Sequence, residues 1–270
     1  MAKVLLTRPL QRLSTDNAFS DMLRAEGIEV IELPMIRMHF PKDMHQLDDA
    51  LVRLAKHEFD YAVLSSPTAA EFFHERASDL DLSSLIRSGV GFGTIGEKSA
   101  RKLEDYGYHI ALPLPSQSAG AAALLVKLRT LNLQGKKALL LQSQIGIKVL
   151  ERAFEMVGAE TERVTLYETV GPSLQDAARL LKLLEAVDGE RPDVIAFFSP
   201  SSAEYFVRTL QEMGSGHLYT LPVLAAIGET TAFEIGMRLK RKPEIVARKA
   251  NQESLAKDII DFLKNTYIGK

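Results

Sequence analysis

The residues best placed to do chemistry occur in a stretch that the chain writes twice. Residues 60–73 read Asp-Tyr-Ala-Val-Leu-Ser-Ser-Pro-Thr-Ala-Ala-Glu-Phe-Phe, and residues 193–206 read Asp-Val-Ile-Ala-Phe-Phe-Ser-Pro-Ser-Ser-Ala-Glu-Tyr-Phe. Without a gap, Asp60 aligns with Asp193, Ser66 with Ser199, Pro67 with Pro200 and Glu71 with Glu204. Taken alone, each serine suggests a nucleophile. The neighbours suggest otherwise: a short apolar run rich in branched and aromatic residues precedes each serine, and a helical pattern follows the proline. Serine is a preferred helix N-cap, and proline is tolerated at the first helical position because its missing N–H has no partner there. A helix start aimed outward from a strand end binds anions through free backbone N–H groups.

A second pair repeats at almost the same interval. Gly96 and Gly228 each open a helix after a strand, with Ser99 and Thr231 one turn further on. Any one of these residues can be explained as helix capping alone. Together they put several anion-binding helix starts at the carboxyl ends of parallel strands, where open α/β sheets bind ligands. Arg8, between Thr7 and Pro9 at the first strand end, adds a positive charge at that rim or is an ordinary solvated side chain. Glu71 and Glu204 recur in the first turns of helices, where the dipole accounts for acidic residues. The basic run 238–242 reads as a solvated helix C-terminus for the same reason. Tyr167 reads, on spacing, as a packed residue with its hydroxyl at the surface.

The elements that position these residues alternate along the chain. Strands are expected at 3–6, 30–33, 60–65, 89–95, 109–112, 137–141, 164–170, 193–198, 222–226 and 244–247. Helices are expected at 14–25, 44–56, 121–129, 173–187 and 252–263, with further ones opening at Pro67, Gly96, Pro200 and Gly228. In the 173–187 helix, Leu174, Ala177, Ala178, Leu181 and Leu184 lie at core spacing. Such alternation gives parallel sheets with helices on both faces, a doubly wound architecture. Residues 91–96, Gly-Phe-Gly-Thr-Ile-Gly, match the dinucleotide fingerprint in form. The repeat partner has Leu-Ala-Ala-Ile-Gly ending at Gly228, so Gly91 and Gly93 belong inside the strand and only Gly96 in the turn. A bound nucleotide is therefore not expected.

Composition narrows the class. With 46% hydrophobic and 25% charged residues in 270, the chain can bury a large core, and the repeat favours two domains over one. A net charge of -2 gives no global attraction to nucleic acid or to a membrane surface. No apolar run is long enough for a membrane span, and no signal-peptide pattern is visible, so a cytoplasmic protein is expected. Cysteine is absent, which removes disulfides and thiolate chemistry. The six histidines are scattered without metal-ligand spacing, so no metal site is expected.

Taken in order, these residues resemble the uroporphyrinogen-III synthase family. The likeness rests on Val-Leu-Leu-Thr-Arg-Pro at 4–9, Gly27, Leu33-Pro34, the 60–73 stretch, and Ile95-Gly96. It continues through Leu166-Tyr167-Glu168, Phe-Ser-Pro-Ser-Ser at 198–202 (which includes Ser201), and Ile-Gly-Glu-Thr-Thr-Ala at 227–232. It spans nearly the whole chain in the right order. The resemblance implies two doubly wound, flavodoxin-like domains joined by a two-stranded hinge, one of residues 1–36 plus 171–270 and the other of 37–170.

The resemblance also implies an activity: cyclisation of hydroxymethylbilane, a linear tetrapyrrole with eight carboxylates, to uroporphyrinogen III with loss of water and inversion of the last ring. No cofactor is implied. On this likeness Tyr167 matches the family tyrosine proposed as proton donor, and Arg8, Ser66, Gly96, Ser99, Ser143, Ser199, Ser201, Gly228 and Thr231 would bind substrate. Two departures stand out. Gln142-Ser143 replaces an Arg-Gly pair common in the family, which weakens any anion contact there, and Ser99 stands where a threonine is usual. The expected partners are the small-molecule substrate and, transiently, hydroxymethylbilane synthase; a monomer is expected, with no nucleic acid or membrane. A non-catalytic two-domain binding protein for a small anion is the alternative, since helix starts serve that purpose equally well.

Overall fold

The computed structural model describes residues 1–9, 18–115, 120–146, 148–186, 190–214 and 221–267. The chain forms two compact units, one of residues 1–37 and 170–270 and the other of residues 38–169. The first unit opens with β1 (Lys3–Leu6), α1 (Ala18–Ala25) and β2 (Glu29–Glu32). Next come β3 (Arg37–His39), α2 (His45–Ala55), β4 (Tyr61–Leu64), α3 (Pro67–Asp79), α4 (Ser83–Gly89), β5 (Gly91–Ile95) and α5 (Glu97–Asp105). They are followed by β6 (Ile110–Leu114), α6 (Gly120–Arg129), β7 (Lys137–Ser143), α7 (Val149–Glu155) and β8 (Glu160–Val170). The chain then completes the first unit with α8 (Leu174–Glu185), β9 (Val194–Phe197), α9 (Pro200–Glu212), β10 (Val223–Ala226), α10 (Glu229–Leu239), β11 (Ile245–Val246) and α11 (Gln252–Tyr267).

The first sheet has the order β2-β1-β9-β10-β11, all parallel. The second runs β3-β8-β7-β4-β5-β6, with β8 through β6 parallel. In terms of the internal repeat, β8-β7-β4-β5-β6 is the same order as the first sheet, the flavodoxin-like pattern. The halves have exchanged partners. Strands β1 and β2 of the first half pair with β9 to β11 of the second, while β7 and β8 of the second half pair with β4 to β6 of the first.

Buried residues alternate between the two faces of each sheet, as strands covered on both sides require. In the first unit Leu5, Ile195 and Phe197 pack into one cluster while Val4, Leu6, Val194 and Ala196 pack into the other. In the second, Leu64, Leu139 and Leu141 face one cluster and Val63, Ala138 and Leu140 the opposite one.

The repeated aspartates turn out to be sheet clips. Asp193 Oδ2 accepts from Lys3 N–H at 2.7 Å while Asp193 N–H donates to the Lys3 carbonyl at 2.9 Å. Asp60 repeats this on Lys137, its Oδ2 accepting from the Lys137 N–H and its own N–H donating to the Lys137 carbonyl, both at 2.9 Å. Each clip therefore joins a strand of one half to a strand of the other. Burial of Asp60 opposes its ionisation, yet the Lys136 ammonium at 2.7 Å and the Lys137 N–H outweigh that and hold its carboxyl below its ordinary value of 3.8. A lowered folded-state value means that the stabilisation is present at neutral pH and is lost as pH falls below about 3.8. Replacing Asp60 or Asp193 by alanine is expected to cost about 1–3 kcal/mol in urea unfolding. For Asp60→Ala, part of the loss should disappear in acid; a pH-independent loss would remove the ionic component.

Several expected elements differ in detail. Leu174 is 88% exposed and Ala178 is exposed, whereas Leu180 is fully buried with Ala177 and Leu184. Ser173 caps α8 by accepting from Asp176 N–H, so Leu174 lies in the first turn, before the helix meets the sheet. The strand expected from residue 89 begins at Gly91, because 83–89 form the short helix α4. The beginning of the helix expected at 14–25, the 116–119 part of the loop before α6 and the end of the helix expected at 173–187 lie outside the described residues. Among the described residues no helix is long and apolar enough to cross a membrane.

Candidate active site

In the second unit, strand register brings four of the candidate positions to one sheet edge. Leu64 of β4 pairs with Leu141 of β7 on one side and with Thr94 of β5 on the other, and Ser143 pairs with Tyr167 of β8. Tyr167, Ser143, Ser66 and Gly96 therefore follow one another along the carboxyl rim.

Tyr167 owes its direction to an irregularity in β8. Gln142 pairs with Thr165 and the next residue, Ser143, pairs with Tyr167, so β8 carries one extra residue at Leu166. Such a bulge re-aims the side chains beyond it. Without it, Tyr167 would alternate away from the cluster that holds Val164 and Leu166; with it, all three join that cluster. The phenol is 9% exposed, stacked on Phe72 at 5.0 Å between ring centres, and its hydroxyl lies 3.5 Å from Ser66 Oγ. Ser66 Oγ also accepts from Ala69 N–H at 3.0 Å, which caps α3 and leaves the serine proton available to the phenol oxygen. The hydroxyl is thus held at a helix N-terminus, where negative charge is favoured.

The rest of this rim is mixed. Gly96 has a φ of 79°, a left-handed conformation that suits glycine, and precedes α5 without a side-chain cap. The first N–H groups of α5 therefore have no helical acceptor. Ser99, 2% exposed, donates its hydroxyl to the Ile95 carbonyl at 3.0 Å and is a buried brace. Gln142 is buried as well, with no hydrogen-bond partner for its Nε2 among the described residues.

The first unit has its own rim. Leu6 pairs with Ala196, and Ala196 with Ala225, so the ends of β1, β9 and β10 carry Arg8, Ser199 and Gly228 in a row. Ser199 forms a reciprocal capping box with Ser202: each hydroxyl accepts from the other residue's N–H, at 3.1 and 3.2 Å. Ser201 is half-buried in the first turn of α9, and Thr231 is 1% exposed beneath the start of α10. Gly228 is extended at φ 174°, and a side chain there would press on Ala250 at 3.2 Å. Arg8 is neither solvated nor free: its side chain is 10% exposed and donates to Gln252 Oε1 and Ser20 Oγ, both at 3.2 Å, with Glu32 at 3.7 Å. It ties β1 to α11, α1 and β2.

The family model described as Uroporphyrinogen-III synthase HemD matches residues 17–257. The chain belongs to that family. It is 26% identical over 267 residues to the uroporphyrinogen-III synthase of Chlorobaculum parvum, covering 98% of this chain and 100% of that one. A crystal structure of a mutant uroporphyrinogen III synthase from Thermus thermophilus superposes with a TM-score of 0.63 at 20% identity, covering 98% and 100% of the two chains. The Helicobacter pylori uroporphyrinogen-III synthetase structure gives 0.63 at 15% identity, covering 97% and 100%. These two likenesses bear on the fold alone. As a uroporphyrinogen-III synthase family member, the chain is a cyclising lyase of tetrapyrrole biosynthesis.

Within this synthase fold the repeated glutamates have a plain role. Glu71 pairs with Lys102 of α5 at 3.0 Å, and Glu204 with Arg238 of α10 at 2.8 Å, each joining two neighbouring helices. The glycines at 91 and 93 lie within β5; a side-chain carbon would come within 2.8 Å of Ala111 at the first and 3.0 Å of Val63 at the second. They serve close strand packing. Sequence reading missed Gln144, whose amide donates to the Thr169 carbonyl at 2.7 Å and accepts from Thr169 N–H at 2.9 Å. It extends the β7–β8 pairing just past Tyr167. Nothing in its sequence surroundings marks it, because the contact depends on the bulge.

Proposed function

We propose that the chain converts hydroxymethylbilane to uroporphyrinogen III, with Tyr167 as the proton donor for loss of the hydroxyl group. The observation that supports this most is the buried phenol, stacked on Phe72 and directed to Ser66 Oγ at the start of α3. With Ser66 donating to the phenol oxygen, the phenol proton remains for the departing hydroxyl, and charge left behind meets the positive end of α3. Water leaves the first ring's hydroxymethyl carbon and an electrophilic azafulvene remains. The last ring attacks it through its substituted position, forming a spiro intermediate that fragments and recloses inverted.

The remaining work is selection among conformations, since the unassisted bilane closes to the I isomer. The helix starts at Ser66 and Gly96, on the same rim as Tyr167, offer backbone N–H groups to the substrate carboxylates, and fixing these favours the spiro geometry; those at Ser199 and Gly228 offer the same groups on the rim of the first unit. Arg8, Ser99 and Thr231 act by bracing these turns, given their internal bonds and burial. Ser143 and Ser201 complete the set at the rims. This chemistry asks for proton transfer and positioning and needs no metal or cofactor, and the substrate would come in the cytoplasm from hydroxymethylbilane synthase. A purely binding role gives no reason for the aimed phenol. Supplying hydroxymethylbilane, oxidising the product and separating porphyrin isomers tests the reading: type III is expected, and type I alone at the spontaneous rate would refute it.

A further inference from the structure

The amino end of the first sheet carries an open pocket of about 530 Å³, a volume typical of small-molecule sites. Ile28, Ile260 and Leu263, 5–8% exposed, give it an apolar lining continuous with the core cluster of Val4, Leu6 and Val194. Around them stand the Glu26-Gly27 turn, Lys264 of α11, and Arg191 and Asp193 at the entry to β9, with Ala2 and the exposed Met1 leading into β1. The pocket lies at the opposite end of the strands from the substrate rim, since Arg8, Ser199 and Gly228 follow the carboxyl ends. A ligand here leaves that rim free.

Arg191 is the residue that the fold does not account for. Lys264 pairs with Glu26 at 2.7 Å, and Asp193 Oδ2 accepts from Lys3 N–H at 2.7 Å. The Arg191 guanidinium meets no carboxylate or carbonyl among the described residues, and its Nε is buried without a partner. Burying a donor with no acceptor costs stability. An acceptor entering the pocket recovers that cost.

The internal repeat supplies a comparison at the same place in the second unit. Arg191 corresponds to Glu58 by the aligned aspartates, Ala2 to Lys136 by the clipped lysines, and Gly27 to Gly158 at the turn before β2 and β8. In the second unit the charges are paired, Glu58 with Arg53 at 3.2 Å and Lys136 with Asp60 at 2.7 Å. A side-chain carbon at Gly158 would come within 2.1 Å of the Gln134 amide oxygen, whereas at Gly27 it would meet nothing within 4 Å. The segment between α6 and β7 supplies both Gln134 and Lys136, and it has no counterpart among the described residues of the first unit, where α11 and β1 are not consecutive. The second unit fills with its own chain the space that the first leaves open.

We infer that this pocket is a second binding site, for a small carboxylate with a short apolar body. The guanidinium fork of Arg191 matches the two oxygens of a carboxylate, and Ile28, Ile260 and Leu263 cover the chain attached to it. Glu26 and Asp193 at the same pocket penalise a second negative charge, which selects a monocarboxylate over a phosphate dianion. The bound molecule joins the end of α11 to the entry of β9 and stabilises the folded chain by mass action.

Hexanoate titrated into isotope-labelled protein at fixed ionic strength tests this, read by amide chemical shifts and by the thermal midpoint. Half-saturation is expected on the order of 1 mM, as suits so small a ligand, with shifts at Ala2, Gly27, Ile28 and Lys264 and a midpoint that rises with ligand concentration. Acetate lacks the apolar body, phosphate carries more charge and hexylammonium has the wrong sign; each should bind at least tenfold more weakly. R191Q is expected to weaken hexanoate binding tenfold or more while matching the ligand-free wild type in stability, because the arginine has no partner to lose. R191K keeps the charge without the fork and should bind with intermediate affinity. Wild type that shows no shift at these positions up to tens of millimolar overturns the proposal, whatever the variants do. So do shifts confined to the surroundings of Gly96 or Gly228, which place the carboxylate at the substrate rims, and an R191Q that binds hexanoate as wild type does. Equal binding of phosphate or hexylammonium overturns the assigned ligand class.

Discussion

Tyr167→Phe is expected to lower turnover about a hundredfold, the range in which a positioned general acid contributes, while the affinity for product changes little. The substitution keeps the ring stacked on Phe72 and removes only the oxygen that approaches Ser66 at 3.5 Å. The loss should therefore appear in kcat and not in KM, the mark of an interaction needed in the transition state. Ser66→Ala is the informative companion. It removes the α3 cap and the hydrogen bond to the phenol together, so it should show a smaller fall in kcat with a stability loss of about 1 kcal/mol. Single-turnover rates with enzymatically prepared bilane read both. An unchanged rate in Tyr167→Phe would remove the phenol from the chemistry and leave the helix starts as the whole of the site.

Phe72→Ala is expected to have the largest effect on stability, about 3–5 kcal/mol. Phe72 is 1% exposed, stacked on Tyr167 at 5.0 Å and edge-on to Phe40 at 4.9 Å, so truncation opens a cavity under the catalytic candidate. Phe72→Leu restores most of the volume without a ring, and it should recover most of the stability while leaving turnover depressed, since the phenol loses the flat surface that orients it. Urea unfolding measures the first quantity and the single-turnover rate the second. If both substitutions restored or reduced the two quantities in parallel, Phe72 would be packing alone and would not orient Tyr167.

Much of this arrangement was legible in the chain because it is written twice. The Ser-Pro stops at Ser66 and Ser199 identified two helix caps, and both cap as the residue types require. The repeat also kept Gly91 and Gly93 inside a strand. Three features were hidden for physical reasons. Arg8 reads as a rim charge in sequence, but its partners Ser20, Glu32 and Gln252 come from elements remote in the chain, so its internal pairing depends on tertiary structure. The hydroxyls of Ser99 and Thr231 are of the right type for a ligand, yet one turn into a helix the side chain meets the sheet. The direction of Tyr167 depends on a single extra residue in β8 relative to β7, and strand alternation read from sequence alone sends the ring the other way. Spacing alone suggests a surface hydroxyl on an amphipathic strand. The bulge makes it a buried phenol at a helix start.

The central claim is that this chain directs ring closure and does more than hold a tetrapyrrole. The most direct measurement is the ratio of type III to type I uroporphyrin after oxidation, recorded against protein amount at fixed hydroxymethylbilane with catalytic quantities of chain. The account predicts that the ratio rises with added protein until type III is essentially the sole product, and that far more of the Tyr167→Phe variant is needed to reach the same ratio. A ratio that stays at the spontaneous value at every protein concentration would contradict it.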